Sequence, residues 1–163
     1  MSLSPEPVYR PSTPREGGTD PPPNVNGKDP DRMLSTGYQT LLDCRRRSRY
    51  LRQHGFTTDQ IATILALDHP ATPLRLYRHA AGLTATQAVA AFHQLVDTTG
   101  AGLRESRLYE HETWPQAGRR PSTDTLRLLA RIYGTQPARL LTPAMLATYT
   151  PHDQHMLRRS EDG

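Results

Sequence analysis

The sequence predicts an all-α protein, and three observations carry that expectation. Apolar residues in the middle of the chain recur at three- and four-residue spacing, no segment alternates with period two, and Thr, Ser, Pro and Gly stand where periodic runs begin and end. Around this body the expected termini are disordered: an arm over 1–35 and a flexible tail over 150–163. Eight of the fifteen prolines fall in residues 1–30, next to Gly17, Gly18, Asn24 and Asn26, with almost nothing apolar to bury.

The first helix is expected from about Thr36 to His54, with Tyr38, Leu41, Cys44 and Leu51 on one stripe. Arg45, Arg46, Arg49 and Arg52 occupy its remaining surface, and Gly55 stops it. Thr57 or Thr58 then caps a second helix carrying Ile61, Ile64 and Leu65, which ends before His69-Pro70. Pro73 opens a third, with Leu74, Tyr77 and Ala81, and Gly82 closes it. Thr84, with Gln87 in capping-box register, starts a fourth whose face is Ala88, Val89, Phe92, Leu95 and Val96. Beyond a loop with Gly100 and Gly102, a short polar helix covers Leu103 to Glu112, with Leu108 and His111 inward. Trp114 to Pro121 reads as irregular. Ser122 or Thr123 caps a helix with Leu126, Leu129, Ile132 and Tyr133, stopped by Gly134, and Leu140 and Leu141 serve a last short helix.

Composition narrows the function. The net charge of +4 is unevenly spread: residues 36–150 hold fourteen arginines against eight carboxylates, whereas the arm and the tail are each −1. Positive charge concentrated in the part that can fold suits a polyanionic partner. Cys44 is the only cysteine, so no intramolecular disulfide and no single-chain thiolate cage can form. No apolar run is long enough for a signal peptide or a membrane span, which makes the cytoplasm the expected address and the membrane no partner. The histidines are scattered, with His152 and His155 the only close pair, so neither a metal nor another cofactor is expected. Glu112 has no acid or histidine at a spacing that would make it catalytic, and no enzymatic activity is expected.

Gly82-Leu83-Thr84 opening an amphipathic helix, Leu108-Tyr109-Glu110-His111-Glu112, and the run Trp114-Pro115-Gln116-Ala117-Gly118-Arg119-Arg120-Pro121-Ser122 carry a resemblance. Together with Thr125-Leu126, Leu128-Leu129-Ala130, Ile132-Tyr133-Gly134 and Leu140-Leu141, they resemble the Xre-type, lambda-repressor-like helix-turn-helix regulators. The likeness is to a bacterial subset with a Trp-Pro and a Gly-Arg-x-Pro-Ser linker after the recognition helix. It covers about residues 73–146. It implies a helix-turn-helix domain at 73–149, preceded by a helical extension at 36–72.

The resemblance further implies double-stranded DNA as partner, a homodimer on paired half-sites, and work at the nucleoid. The implied contacts are Thr84 and Thr86 at the start of the fourth helix, Arg104, Glu105, Ser106, Arg107 and Glu110 on the polar helix, and Arg119 and Arg120 in the linker. Glu112 becomes a structural residue that pairs with an arginine or a helix N-terminus. Two departures stand out: Ala85 replaces a frequent glutamine, and the loop from Val96 to Gly102 is longer than the usual tight turn.

The physical logic of the polar helix stands beside the family name. A helix that enters the major groove must be short, polar outside and anchored inside by a few apolar residues, and Leu103 to Glu112 meets that description. Two other readings remain open. Residues 55–82 resemble a second helix-turn-helix, which would make a tandem, DNA-organising protein reading through Arg75 and Arg78. Alternatively the fold serves as an adaptor that binds a protein partner through Phe92 or Leu140.

Overall fold

The computed structural model describes residues 30–96 and 102–159, with side chains from residue 39 onward. The chain divides into two units, residues 1–37 and 38–163. Of the first, the described part is the opening of helix α1 (Pro30–Gln53). The architecture that follows is that of the second.

Among the described residues every element is helical. After α1 come α2 (Thr58–Asp68), α3 (Pro73–Ala80), α4 (Ala85–Leu95), α5 (Glu105–Thr113) and α6 (Thr123–Tyr133). A 3-10 turn at Pro137–Leu140, then α7 (Pro143–Leu146) and α8 (Pro151–Arg158), complete it. Local chemistry sets most of the boundaries. Thr57 with Gln60 and Thr84 with Gln87 form full capping boxes at the starts of α2 and α4. The Ser122 hydroxyl accepts from the Thr125 amide to start α6, and Gly134, at φ 71°, ends it in the left-handed conformation that other residues avoid.

Amphipathic faces meet in one core. Ile61, Leu65, Leu108, Leu126, Leu129, Leu140 and Leu157 are fully buried, and Phe92 and Tyr133 join them. α2 packs on α3, α4 on both α5 and α6, and α8 on α6 and the 3-10 turn. A polar tie at Asp59 draws the extension onto this core. Tyr77 (2.8 Å) and Thr135 (2.5 Å) both donate to its Oδ1, and Arg139 stands 3.7 Å from Oδ2. One carboxylate thus joins α2, α3, the segment after α6 and the 3-10 turn.

Several expectations need correction. α1 starts at Pro30 rather than Thr36, with proline at the first helical position where its missing N–H costs nothing. The rest of the expected arm, residues 1–29, lies outside the described residues, as do the Tyr38 side chain and the loop residues 97–101. The expected flexible tail holds α8, because Thr150 caps it, Pro151 opens it and Leu157 is fully buried. Residues 160–163 lie outside the described part. Leu95, the last residue of α4, is 39% exposed and stands outside the core. Leu140 and Leu141 belong to a 3-10 turn and its cap, short because Pro137 begins it and Leu141 is already extended.

Candidate nucleic-acid interface

α5 has the required two-sidedness. Leu108, His111 and Glu112 are buried, whereas Glu105, Ser106 and Tyr109 are exposed. The helix is one residue shorter than the expected Leu103 to Glu112 span. It starts at Glu105, with Leu103 buried before it and Arg104 as an exposed N-cap that makes no side-chain capping bond. Arg107 and Glu110 pair at 2.8 Å, one turn apart. The start of α5 is fastened to the start of α4, where the Thr86 hydroxyl donates to Glu105 Oε1 at 2.9 Å. His93 on α4 also contacts the Leu103 carbonyl at 2.7 Å.

The linker after α5 folds back against it. Gly118 has φ 76°, and a Cβ there would lie 2.0 Å from the Glu110 carbonyl oxygen, so only glycine fits. The Arg119 amide donates to that same carbonyl at 3.2 Å. His111 Nδ1 lies 2.9 Å from the Arg119 carbonyl, which can only accept, so this nitrogen carries the proton. Burial pushes the His111 pKa below its ordinary value, which keeps the ring neutral.

These contacts bring Arg104, Ser106, Arg107, Glu110, Arg119 and Arg120 around one concavity of about 650 Å³. Among the described lining residues four arginines stand against one carboxylate, Glu110, so this part of the groove is basic. The two linker arginines differ within it. Arg120 stacks 4.7 Å over the Tyr149 ring and donates to the Thr148 carbonyl at 2.6 Å, which commits it to packing. Arg119 is exposed and held only through its backbone.

Thr84 does not line this groove. With Arg45, Ser48, Arg49 and Arg52 it lines a separate cleft beside α1. Sequence reading left those arginines as plain surface, although positions 45, 48, 49 and 52 share a helical stripe. Ala85 is buried, so that position of α4 faces the core and Thr86 is the exposed residue of the first turn.

Three of the four residues named for the other two readings, Arg78, Phe92 and Leu140, are buried. In α3, Leu74, Leu76, Tyr77, Arg78, His79 and Ala80 are buried, which leaves Arg75 as its one partly exposed cation. Phe92 and Leu140 are core residues. Among the described residues no group of three or more His, Cys, Asp or Glu could hold a metal ion, and no helix is long and apolar enough to cross a membrane. Cys44 is buried, and burial raises its thiol pKa, which disfavours the reactive thiolate.

Comparison with known protein families, with curated proteins and with solved structures finds no match to this chain.

Proposed function

We propose that this protein is a sequence-specific DNA-binding regulator of transcription, built on a lambda-repressor-like helix-turn-helix of the bacterial Xre type. One observation carries the reading: a short helix anchored by Leu108, His111 and Glu112 presents a polar outer face beside a groove of four arginines. α4 is the supporting helix and α5 the one laid in the major groove. Arg104, Ser106 and Arg107 reach base edges, and Arg119 grips a phosphate. The protein works as a homodimer on paired half-sites in the cytoplasm, at the nucleoid, with no enzymatic step and no cofactor.

Selection of bound fragments from a random duplex pool, followed by titration at several salt concentrations, tests this. A recurring motif bound with a steep salt slope is the expected outcome. Recovery of no motif, together with salt-insensitive or undetectable duplex binding, overturns it in favour of the adaptor reading.

A further inference from the structure

The cleft beside α1 is separate from the α5 groove and shares no lining residue with it. It measures about 540 Å³ and lies between α1 and the turn that leads into α4. Arg45, Ser48, Arg49 and Arg52 line one side, Gly82 and Thr84 the other, and no acidic side chain is among its described lining residues. Arg52 is already engaged: it donates to the Ala80 and Ala81 carbonyls at the end of α3. Arg45 and Arg49 have no ion-pair partner among the described residues.

Ser48 supplies the second, independent observation. It is 2% exposed, yet its hydroxyl has no hydrogen-bond partner among the described residues. A helical serine usually donates to the carbonyl four residues back, and an orphaned buried hydroxyl costs about 1–3 kcal/mol. Ser48 is one of the residues that line the cleft, its enclosed hydroxyl lying in the wall beside two guanidiniums that have no ion-pair partner among the described residues. The N-terminus of the eleven-residue α4 adds the positive end of its dipole, its Thr84 and Gln87 amides being already taken by the capping box.

We propose that this cleft is a binding site for the phosphate group of a small organic phosphate. Arg45 and Arg49 supply charge-assisted hydrogen bonds, Ser48 donates from the wall once its side chain rotates toward the ligand, and the dipole of α4, whose N-cap Thr84 lines the opposite side, favours the anion. The volume suits a small ligand. The site does not depend on α5 reading DNA.

The test uses the full chain, with inorganic phosphate and adenosine 5′-monophosphate as probes and adenosine as the phosphate-free control. Calorimetric titration and thermal shift are expected to show saturable binding and a raised Tm with both phosphates, and neither with adenosine. Arg45→Ala and Arg49→Ala are each expected to weaken binding about tenfold. Ser48→Ala is expected to weaken it without lowering the Tm of the free protein, since the hydroxyl has no partner to lose. Arg46→Ala, outside the cleft lining, is expected to change nothing. The proposal falls if variants that keep the wild-type Tm bind both phosphates as the parent does, or if neither phosphate binds the parent. It also falls if Arg45→Ala and Arg49→Ala weaken only duplex DNA, which would assign these arginines to its backbone. Failure of the DNA reading looks different: duplex binding is then absent while the phosphate titration survives.

Discussion

Arg78 on α3 and Glu112 near the end of α5 form a buried bidentate ion pair, with Nε 2.5 Å from Oε1 and Nη2 3.1 Å from Oε2. Both side chains are almost wholly enclosed. Arg78 Nη1 also donates to the Leu83 carbonyl at 3.2 Å, and Thr72 donates to the Glu112 carbonyl at 2.5 Å. The candidate reading helix is thereby clamped at its C-terminal end to the turns on both sides of α3. Removing one partner leaves a buried, uncompensated charge, so Glu112→Ala is expected to cost about 3–5 kcal/mol. Urea unfolding measures it. The double variant Arg78→Met, Glu112→Leu is expected to recover most of that loss, because an apolar pair avoids the desolvation cost. No recovery would mean that the pair contributes net stability beyond its own desolvation.

Burial also makes His79 a pH-sensitive point of the fold. Enclosure, then the positive charges of Arg78, Arg75, Arg45 and His69, push its pKa down to about 3. The unfolded chain takes up a proton near the ordinary value of about 6.5, whereas the folded chain does not, so protonation favours unfolding. Stability is therefore full above that ordinary value and falls as pH drops from there toward 3, with a ceiling of about 1.4 kcal/mol per pH unit for this one group. The depressed His111 pKa acts in the same direction. Urea midpoints between about pH 7 and pH 5, above the main carboxylate range, report these histidines. His79→Leu is expected to flatten that slope, and an unchanged slope would remove His79 from the account.

The helices with local punctuation were legible in the sequence. Thr57 and Thr84 start α2 and α4 as expected, and Gly82 and Gly134 mark the stops, because a capping box or a left-handed glycine depends on neighbours a few residues away. Glu112 as a structural residue was legible too, but its partner lies 34 positions upstream and no local pattern names it. α8 was missed although Thr150-Pro151 is a sound start signal. Its order comes from distant contacts: α8 packs on α6 and the 3-10 turn and buries Leu157 completely. The α1 cleft was hidden for the same reason, since it exists only where the start of α4 lies beside Arg45 and Arg49.

α8 supplies a direct check on that reading of the chain end. Leu157 is fully buried against α6 and the 3-10 turn, so Leu157→Ala is expected to cost about 2–5 kcal/mol. Truncation after Tyr149 is expected to lower the Tm at least as much. A truncated chain that melts like the parent would return residues 150–163 to a dispensable tail.

On the proposed DNA-binding reading, the arginines beside α5 divide into base-reading and backbone-holding groups, because they are positioned differently. Arg104 caps α5 and Arg107 lies one turn along it, so each can follow the helix into a groove. Replacing either with alanine is expected to cost about 1–3 kcal/mol on the selected site and much less on random duplex. For Arg107→Ala part of the loss is indirect, since Glu110 is then left unpaired beside DNA. Arg119 stands in the linker with no helix to carry it inward, so Arg119→Ala is expected to weaken all duplexes alike and lower the salt slope by roughly one. Arg120 is committed to Tyr149 and Thr148, and Arg120→Ala is expected to lower the Tm more than the affinity. Titrations on selected and random duplexes across a salt series, paired with melts of each variant, read all four outcomes. Equal losses on both duplexes for Arg104→Ala and Arg107→Ala would show that α5 does not read sequence and that its groove only holds the backbone.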